Sequence, residues 1–252
     1  MEDSPSFLDE TPLAPLPPPP PARSPLWDWR DAGLFAGMAI PCVFLLYIIG
    51  VLAGKALNIK MDGAPALVVF QSAAYVAVFS LLAFILRMTY DAPFWKSLGW
   101  APSTVPPLLA VALGVSLAFG IGALGNLLKT PDVDSPMKKL LSSPNGGVFL
   151  AIFGITVAPL AEELLFRGFL QPLMVRSLGA VAGIGLTALI FGALHLEENG
   201  RVWQYGALIS AAGLAFGVLR HVSGSIRTSI IMHASYNSTL FLAFFLATHK
   251  GK

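Results

Sequence analysis

Charged residues are scarce in this 252-residue chain, where they make up 12% of the sequence and hydrophobic residues 55%. Soluble domains contain about 25% charged residues. Together with a mean hydropathy of +0.71, this composition excludes an ordinary soluble fold and indicates a membrane protein with several spans. The net charge of +2 gives no electrostatic basis for a nucleic-acid partner. The single cysteine, Cys42, excludes an intrachain disulfide.

Several motifs of soluble enzymes are also missing. No serine stands in a Gly-x-Ser-x-Gly context, so a nucleophile elbow is not predicted. The sequence has no His-Glu-x-x-His pattern, no phosphate-binding loop and no dinucleotide fingerprint. The candidates for chemistry are therefore the polar residues that lie inside apolar segments.

The first 30 residues differ in composition from the rest of the chain. Pro17 to Pro21 form a run of five prolines, which favours an extended polyproline II conformation and cannot build a packed core. We predict a disordered tail over residues 1–30. Residues 1–20 do not resemble a signal peptide, so we expect the first span to direct membrane insertion. Trp27 and Trp29 are typical of an interfacial aromatic belt.

Seven apolar segments follow, so we predict an all-α fold, a polytopic transmembrane helical bundle of about seven spans, with six to eight left open. The basic residues of the loops do not decide the orientation. We expect accessory helices over residues 31–145 and a catalytic helical core over residues 146–248. The predicted segments are Ala32–Ala53, Ala66–Leu86, Leu108–Leu128, Gly147–Val175, Ala180–Leu196, Trp203–Leu219 and Ile226–Ala247.

The last four segments carry many small residues at helical spacing, which let helices approach closely in lipid. We therefore expect these helices to form a tight bundle. The small residues of segments five and six are Gly183, Gly185, Ala188, Gly192, Gly206, Ser210, Gly213 and Gly217.

Two adjacent glutamates, Glu162 and Glu163, lie inside the fourth apolar segment. Pro159, one turn before them, removes one helical hydrogen bond and should kink this helix. Burying a carboxylate in hydrocarbon is costly, so these residues need a partner or a function. Glu163 and Arg167 are four residues apart and share a helix face, which predicts an ion pair. Glu162 is turned by about 100° from that face. We interpret Glu162 as the carboxylate left for chemistry, although both glutamates could instead only join neighbouring helices.

Three further polar residues lie within or at the end of apolar segments. His195 follows Phe191 by one helical turn at the polar end of segment five, while His233 and Asn237 share one face of segment seven. A carboxylate beside an imidazole can hold and deprotonate a water, and a second imidazole with a carboxamide can stabilise an oxyanion. The same carboxylate and histidines, Glu162, His195 and His233, could instead bind a divalent metal such as zinc. Each of these residues could also simply hydrogen-bond a neighbouring helix.

Three motifs in this order resemble those of the CPBP intramembrane proteases, which include the type II CAAX prenyl endopeptidases and bacterial bacteriocin-processing or immunity relatives. The motifs are the glutamate pair with its arginine, from Glu162 to Arg167, then Phe191 to His195, and then His233 to Asn237. All three match without departure. The resemblance extends over about residues 147–246, and the first 145 residues carry no assigned motif.

The resemblance implies an intramembrane endopeptidase acting on peptide bonds of membrane-associated or lipidated proteins. Glu162 and His195 would activate the water, and His233 and Asn237 would hold the oxyanion. Glu163, Arg167 and Phe191 would support the site. The resemblance leaves a metal-free mechanism and a metalloenzyme both open.

A bacterial plasma membrane location is expected for such a relative. We expect the lipid bilayer and a protein or peptide substrate as partners, and no nucleic acid. The sequence leaves two other functions open. One is a non-catalytic immunity or scaffold protein of the same fold, and the other is a small proton-coupled transporter.

Overall fold

The structure, a computed structural model, describes residues 24–59, 62–143 and 145–250. The polyproline run predicted over Pro17 to Pro21 lies outside these residues. The described ranges contain helices, turns and extended connections but no strand, which confirms the all-α prediction.

Six helices are long and apolar enough to cross a membrane, and they confirm an integral multi-pass membrane protein. The fifth predicted segment, Ala180–Leu196, is instead the shorter apolar helix Ala180–Leu194. Its 15 residues span only about 22 Å at roughly 1.5 Å per residue, less than the hydrocarbon thickness of about 30 Å. The helices long enough to span are Trp29–Ala56, Gly63–Tyr90, Pro107–Leu127, Gly146–Leu178, Trp203–Ser223 and Ile226–Thr248.

The elements run in the following order along the chain. They are α1 (Trp29–Ala56), α2 (Gly63–Tyr90), the short α3 (Phe94–Ser97), α4 (Pro107–Leu127), α5 (Pro136–Ser142), α6 (Gly146–Ile155), α7 (Val157–Glu163), a π-helical segment (Leu164–Leu170), α8 (Gln171–Leu178), α9 (Ala180–Leu194), α10 (Trp203–Ser223) and α11 (Ile226–Lys250).

The fourth predicted span is not one regular helix. It breaks at Thr156, where φ is −113° and ψ is −72°, between α6 and α7. Pro159 explains the position of this break, because proline has no N–H for the carbonyl four residues earlier, that of Ile155, and its ring crowds that carbonyl. A π-helical turn begins directly after Glu163. Such turns widen a helix locally and occur frequently at functional sites.

The N-terminal helices pack on the π-helical segment through one apolar core. Trp27 is 1% exposed, its ring stacks on Phe169 at 5.3 Å, and its indole nitrogen donates to the Phe169 carbonyl over 3.1 Å. Arg176 donates to the carbonyls of Pro25 and Trp27. The prediction of a tail through residue 30 is therefore wrong for residues 24–30, because this indole and these backbone carbonyls find partners on the core.

A second apolar core joins α4, α10 and α11, and α10 also packs closely on α9. Gly192 of α9 faces Gly206 and Ser210 of α10 so closely that an added Cβ would overlap their atoms. Gly185, by contrast, has open space beside it. The tight packing expected of the small residues is therefore present at Gly192 but not at every small position. The second core comprises Ala118, Ile121, Leu208, Ala212, Phe216, Leu219, Met232 and Tyr236.

Candidate active site

Three predicted site residues meet in the bundle. Glu162 Oε2, near the end of α7, lies 4.0 Å from Nε2 of His195 and 3.7 Å from Nε2 of His233. The Glu162 and His195 side chains are 18% and 20% exposed, and that of His233 is 4% exposed. These separations exceed a direct hydrogen bond and suit a bridging water between the groups.

The neighbouring carboxylate turns away from this gap into a fully buried ion pair. Glu163 Oε1 accepts a hydrogen bond from Arg167 Nη1 over 2.9 Å, and both side chains are 0% exposed. The predicted pair between these residues is thus present. Arg167 Nη2 donates to the carbonyl of Gly213 on α10 over 2.7 Å, so the guanidinium ties the π-helical segment to that helix.

The same carboxylate oxygen reaches the second histidine. Nδ1 of His233 lies 3.0 Å from Glu163 Oε1, and a carboxylate only accepts hydrogen bonds. Nδ1 of His233 therefore carries a proton, and Nε2 faces Glu162. The ion pair consequently fixes the orientation of an imidazole that lines the candidate site.

Aromatic rings enclose the charged groups. The Arg167 guanidinium lies 4.5 Å from the ring centroid of Phe191 and 5.4 Å from that of Phe216, distances suited to cation–π attraction. Phe216 also stacks on His233 at 4.4 Å, and Phe191 contacts His195 at 4.5 Å. The side chain of Phe191 therefore contacts both the ion pair and a site histidine.

Backbone geometry fixes the tautomer of His195. Its Nδ1 lies 2.7 Å from the carbonyl oxygen of Phe191, and a carbonyl can only accept a hydrogen bond. Nδ1 is thus the donor, so in the neutral ring Nε2 carries a lone pair directed toward Glu162. His195 caps the C-terminus of α9, which explains why the ring lies outside the helical part of its segment.

Asn237 lies apart from this trio. It lines the same cavity as Glu162 and both histidines, but its carboxamide nitrogen donates to the carbonyl of Gly154 on α6 over 2.7 Å. One of its two N–H bonds is occupied by that carbonyl, and the other remains for a ligand in the cavity. The Gly154 carbonyl belongs to the last turn of α6, just before the break at Thr156.

The cavity around these residues has a volume of about 680 Å³. It is large enough for a ligand of several residues or for a lipid chain. Apolar side chains from α2, α5, α6, α9, α10 and α11 line most of it, including Leu67, Leu140, Leu150, Leu194, Ile209, Leu240, Phe241 and Phe244.

Glu198 is a cavity residue that the sequence analysis did not identify, and it lines the cavity together with its neighbours Glu197 and Asn199. Burial raises the pKa of the Glu198 carboxyl, an effect that His195 opposes and Glu162 reinforces. Its backbone carbonyl accepts a hydrogen bond from Met137 N on α5 over 3.1 Å. Since this contact joins residues distant in sequence, no local signal could have identified Glu198.

Glu162, His195 and His233 have the donor types that zinc uses. Within the described ranges, however, no group of three or more His, Cys, Asp or Glu side chains is arranged to hold a metal ion. The three facing atoms, Oε2 of Glu162 and Nε2 of the two histidines, lie at separations that suit a bridging water.

Comparison with known proteins identifies the part of the chain that carries the site. Residues 144–239 match the family model described as type II CAAX prenyl endopeptidase Rce1-like. All three motifs lie within this match, whereas α1, α2 and α4 lie outside it. No curated protein and no solved structure matched the chain. This match confirms that residues 144–239 resemble the CPBP intramembrane proteases, as the three motifs indicate.

Proposed function

We propose that this protein is an endopeptidase that hydrolyses peptide bonds of membrane-associated or lipidated protein substrates with a water activated by Glu162 and His195. The observation that carries the proposal is the separation of 4.0 Å between Glu162 Oε2 and His195 Nε2 inside a cavity open to a ligand. A water in that gap can donate one hydrogen bond to each acceptor, which orients its lone pair toward a substrate carbonyl.

In the proposed reaction Glu162 takes a proton as the water oxygen attacks the carbonyl carbon. The carbonyl oxygen becomes an oxyanion, and Glu162 then returns the proton to the leaving amine as the C–N bond breaks. The products are a new carboxylic acid and a free amine, and the carboxylate of Glu162 is regenerated. His195 positions the water through Nε2, because its Nδ1 is held by the Phe191 carbonyl.

His233 and Asn237 are proposed to bind the oxyanion. His233 donates from Nε2 only when both ring nitrogens carry a proton, since its Nδ1 proton is directed at Glu163. The resulting imidazolium would lie between two carboxylates, Glu163 at 3.0 Å and Glu162 at 3.7 Å. Asn237 would contribute the N–H that Gly154 does not use. Donors held in place before the reaction stabilise such charge most effectively.

The apolar lining of the cavity supports a hydrophobic substrate. A prenyl or acyl chain, or an apolar peptide segment, would be removed from water on entering it. The Rce1-like match favours a lipidated protein among these. This match gives no support to an immunity protein or a transporter. The proposed location is a bacterial plasma membrane.

Hydrolysis of matched peptides by the purified, detergent-solubilised protein tests the proposal. One peptide ends in a prenylated cysteine followed by three residues, and the other has the same sequence without the lipid. We expect faster hydrolysis of the prenylated peptide and no loss of rate with a strong chelator. If a chelator stopped hydrolysis and zinc restored it, the water would be activated by a metal ion and not by Glu162 and His195 alone. Failure to cleave these peptides or any membrane-protein substrate would contradict the proposed function.

A further inference from the structure

A second cleft, of about 270 Å³, lies where the π-helical segment, α8 and the end of α10 meet Ser24. Arginine and histidine side chains supply most of its polar lining, and none of the described residues that line it is acidic. The lining residues that matter here are Arg167, Gln171, Arg176, Arg220 and His221.

Arg220 is the residue in this cleft whose charge lacks a partner. Among the residues that the structure describes, no hydrogen bond or ion pair reaches its guanidinium, and its Nε is buried without an acceptor. The Glu163 carboxylate attracts the Arg220 guanidinium only at longer range. That carboxylate already forms an ion pair with Arg167. A partly buried guanidinium without a close counter-charge is unfavourable.

The Arg220 guanidinium packs closely against the backbone of Gly99. Gly99 has a φ of +85°, and a Cβ at this position would overlap Nη2 of Arg220. The loop that contains Gly99 is tied to α11 by a hydrogen bond from Ile226 N to the Gly99 carbonyl over 3.0 Å. The guanidinium is thus positioned beside the cleft by a glycine that tolerates both the close contact and the left-handed backbone.

Two other side chains leave buried polar atoms at the same cleft. Nε of Arg167 and Oε1 of Gln171 have no hydrogen-bond partner within the described part of the chain. Arg167 is 0% exposed and Gln171 is 3% exposed. Two arginine N–H groups without acceptors in one cleft therefore point to an anionic ligand.

The cleft lies at the level of a membrane surface. It is built at the ends of the spans that terminate at Leu178 and Ser223 and beside the start of the span at Trp29. Trp29, Trp95 and Trp100 belong to the same end of the bundle and are 42% to 49% exposed, as in an interfacial aromatic belt. The phosphates of lipid headgroups occupy this level, and basic pockets between spans bind them.

We propose that the cleft formed by Arg176, Arg220 and His221 binds a phosphate anion, either the headgroup of an anionic lipid or a free phosphate. A guanidinium matches phosphate oxygens in shape and charge. The bound anion would also lie next to Arg167, whose other nitrogens hold Glu163 and Gly213. Binding would therefore stabilise the folded bundle, and this site does not depend on the proposed proteolysis.

The test is thermal unfolding of the purified full chain in a maltoside detergent, followed by tryptophan fluorescence. The probes are sodium phosphate against sodium chloride at equal ionic strength, and dioleoyl phosphatidylglycerol against dioleoyl phosphatidylcholine in the micelle. We expect Tm to rise by about 3 °C or more with a saturating phosphate probe. The rise should disappear in Arg220→Gln and persist in Arg227→Gln, an exposed arginine outside the cleft.

The probes distinguish the sources of the anion. A rise with phosphatidylglycerol alone identifies a lipid headgroup, a rise with phosphate alone identifies a free anion, and a rise with both shows that the phosphate group suffices. If Arg220→Gln does not fold, the exposed His221→Glu serves instead, because its carboxylate would compete for the cleft and abolish the rise. No rise in the wild type, or an equal rise in the cleft variants, would overturn the proposal.

Discussion

Oε1 of Glu163 lies 3.0 Å from Nδ1 of His233 and joins a buried ion pair to a histidine of the catalytic cavity. The contact links residues 70 positions apart and brings α11 against α7. It gives the two adjacent glutamates different surroundings. Glu163 binds Arg167 and His233, whereas Glu162 faces the cavity. We expect substitutions at these two positions to have different consequences.

Arg167→Met should destabilise the protein by about 3–5 kcal/mol, because it leaves the Glu163 carboxylate buried without its counter-charge. Glu163→Gln/Arg167→Met removes both charges and should be more stable than Arg167→Met alone. Equilibrium unfolding in mixed micelles measures the double variant and both single variants, Arg167→Met and Glu163→Gln. Destabilisation of the double variant equal to the sum of the two single variants would show that the charges do not act as a pair.

His195→Ala and His233→Ala should each lower kcat/KM by at least about 100-fold, since both imidazoles face the reacting water or oxyanion. Only His233→Ala should also lower Tm, because His233 is bound to buried Glu163 and stacked on Phe216. Parallel peptide hydrolysis and thermal melting separate the two effects. His221→Ala, outside the catalytic cavity, is the control, and a similar loss of rate in this variant would point to a nonspecific effect.

Gly192→Ala should destabilise the fold by about 1–3 kcal/mol, because its Cβ would overlap backbone and side-chain atoms of α10. Gly185→Ala lies on the same helix with open space beside it. It should be neutral or stabilising by up to about 1 kcal/mol, the helix-propensity difference between the two residues. Equal effects of the two substitutions on unfolding would contradict the close approach of α9 and α10.

Glu198→Gln should raise Tm at pH 7 and lose this advantage as the pH falls. Burial raises the pKa of this carboxyl, so the folded state holds its proton more tightly than the unfolded state does. The Glu198 carboxyl therefore stabilises the folded state below its ordinary pKa of 4.5. This stabilisation is lost as the pH rises through the raised pKa of the folded state. Below both pKa values, the protonated Glu198 of the wild type and the amide of Glu198→Gln should give the same stability.

Glu197→Gln is the matched control with the opposite sign. A hydrogen bond from Arg201 lowers the pKa of Glu197, so the charged form favours the folded state above the ordinary value. This variant should be slightly less stable than the wild type at pH 7, with a difference that vanishes in acid. Melting curves at several pH values test both. A stability change in Glu198→Gln that did not vary with pH would contradict the burial of its charge.

The sequence was sufficient to predict features that depend on local spacing. Apolar length predicted the six helices that are long enough to span, and the four-residue spacing of Glu163 and Arg167 predicted their ion pair. The position of Pro159 predicted an irregularity that appears at Thr156. Each of these features follows from the geometry of a single helix.

Features that depend on contacts between distant residues could not be predicted in this way. Trp27 binds the carbonyl of Phe169, which is 142 residues away, so its composition-based assignment to a tail was wrong. Glu198 follows another glutamate and precedes an asparagine and a glycine, a pattern typical of an exposed turn. Its hydrogen bond to α5 and its place in the cavity lining come from the fold and not from this local pattern.

Comparison of the wild type with Glu162→Gln shows whether the Glu162 carboxylate activates the water. Gln keeps the size of the side chain and its oxygen but cannot accept the proton of the water. Peptide hydrolysis is measured for both after chelator treatment, with thermal melting as the control for folding. We expect Glu162→Gln to lose at least about 1,000-fold in kcat with an unchanged Tm. Full turnover by folded Glu162→Gln would show that another group activates the water.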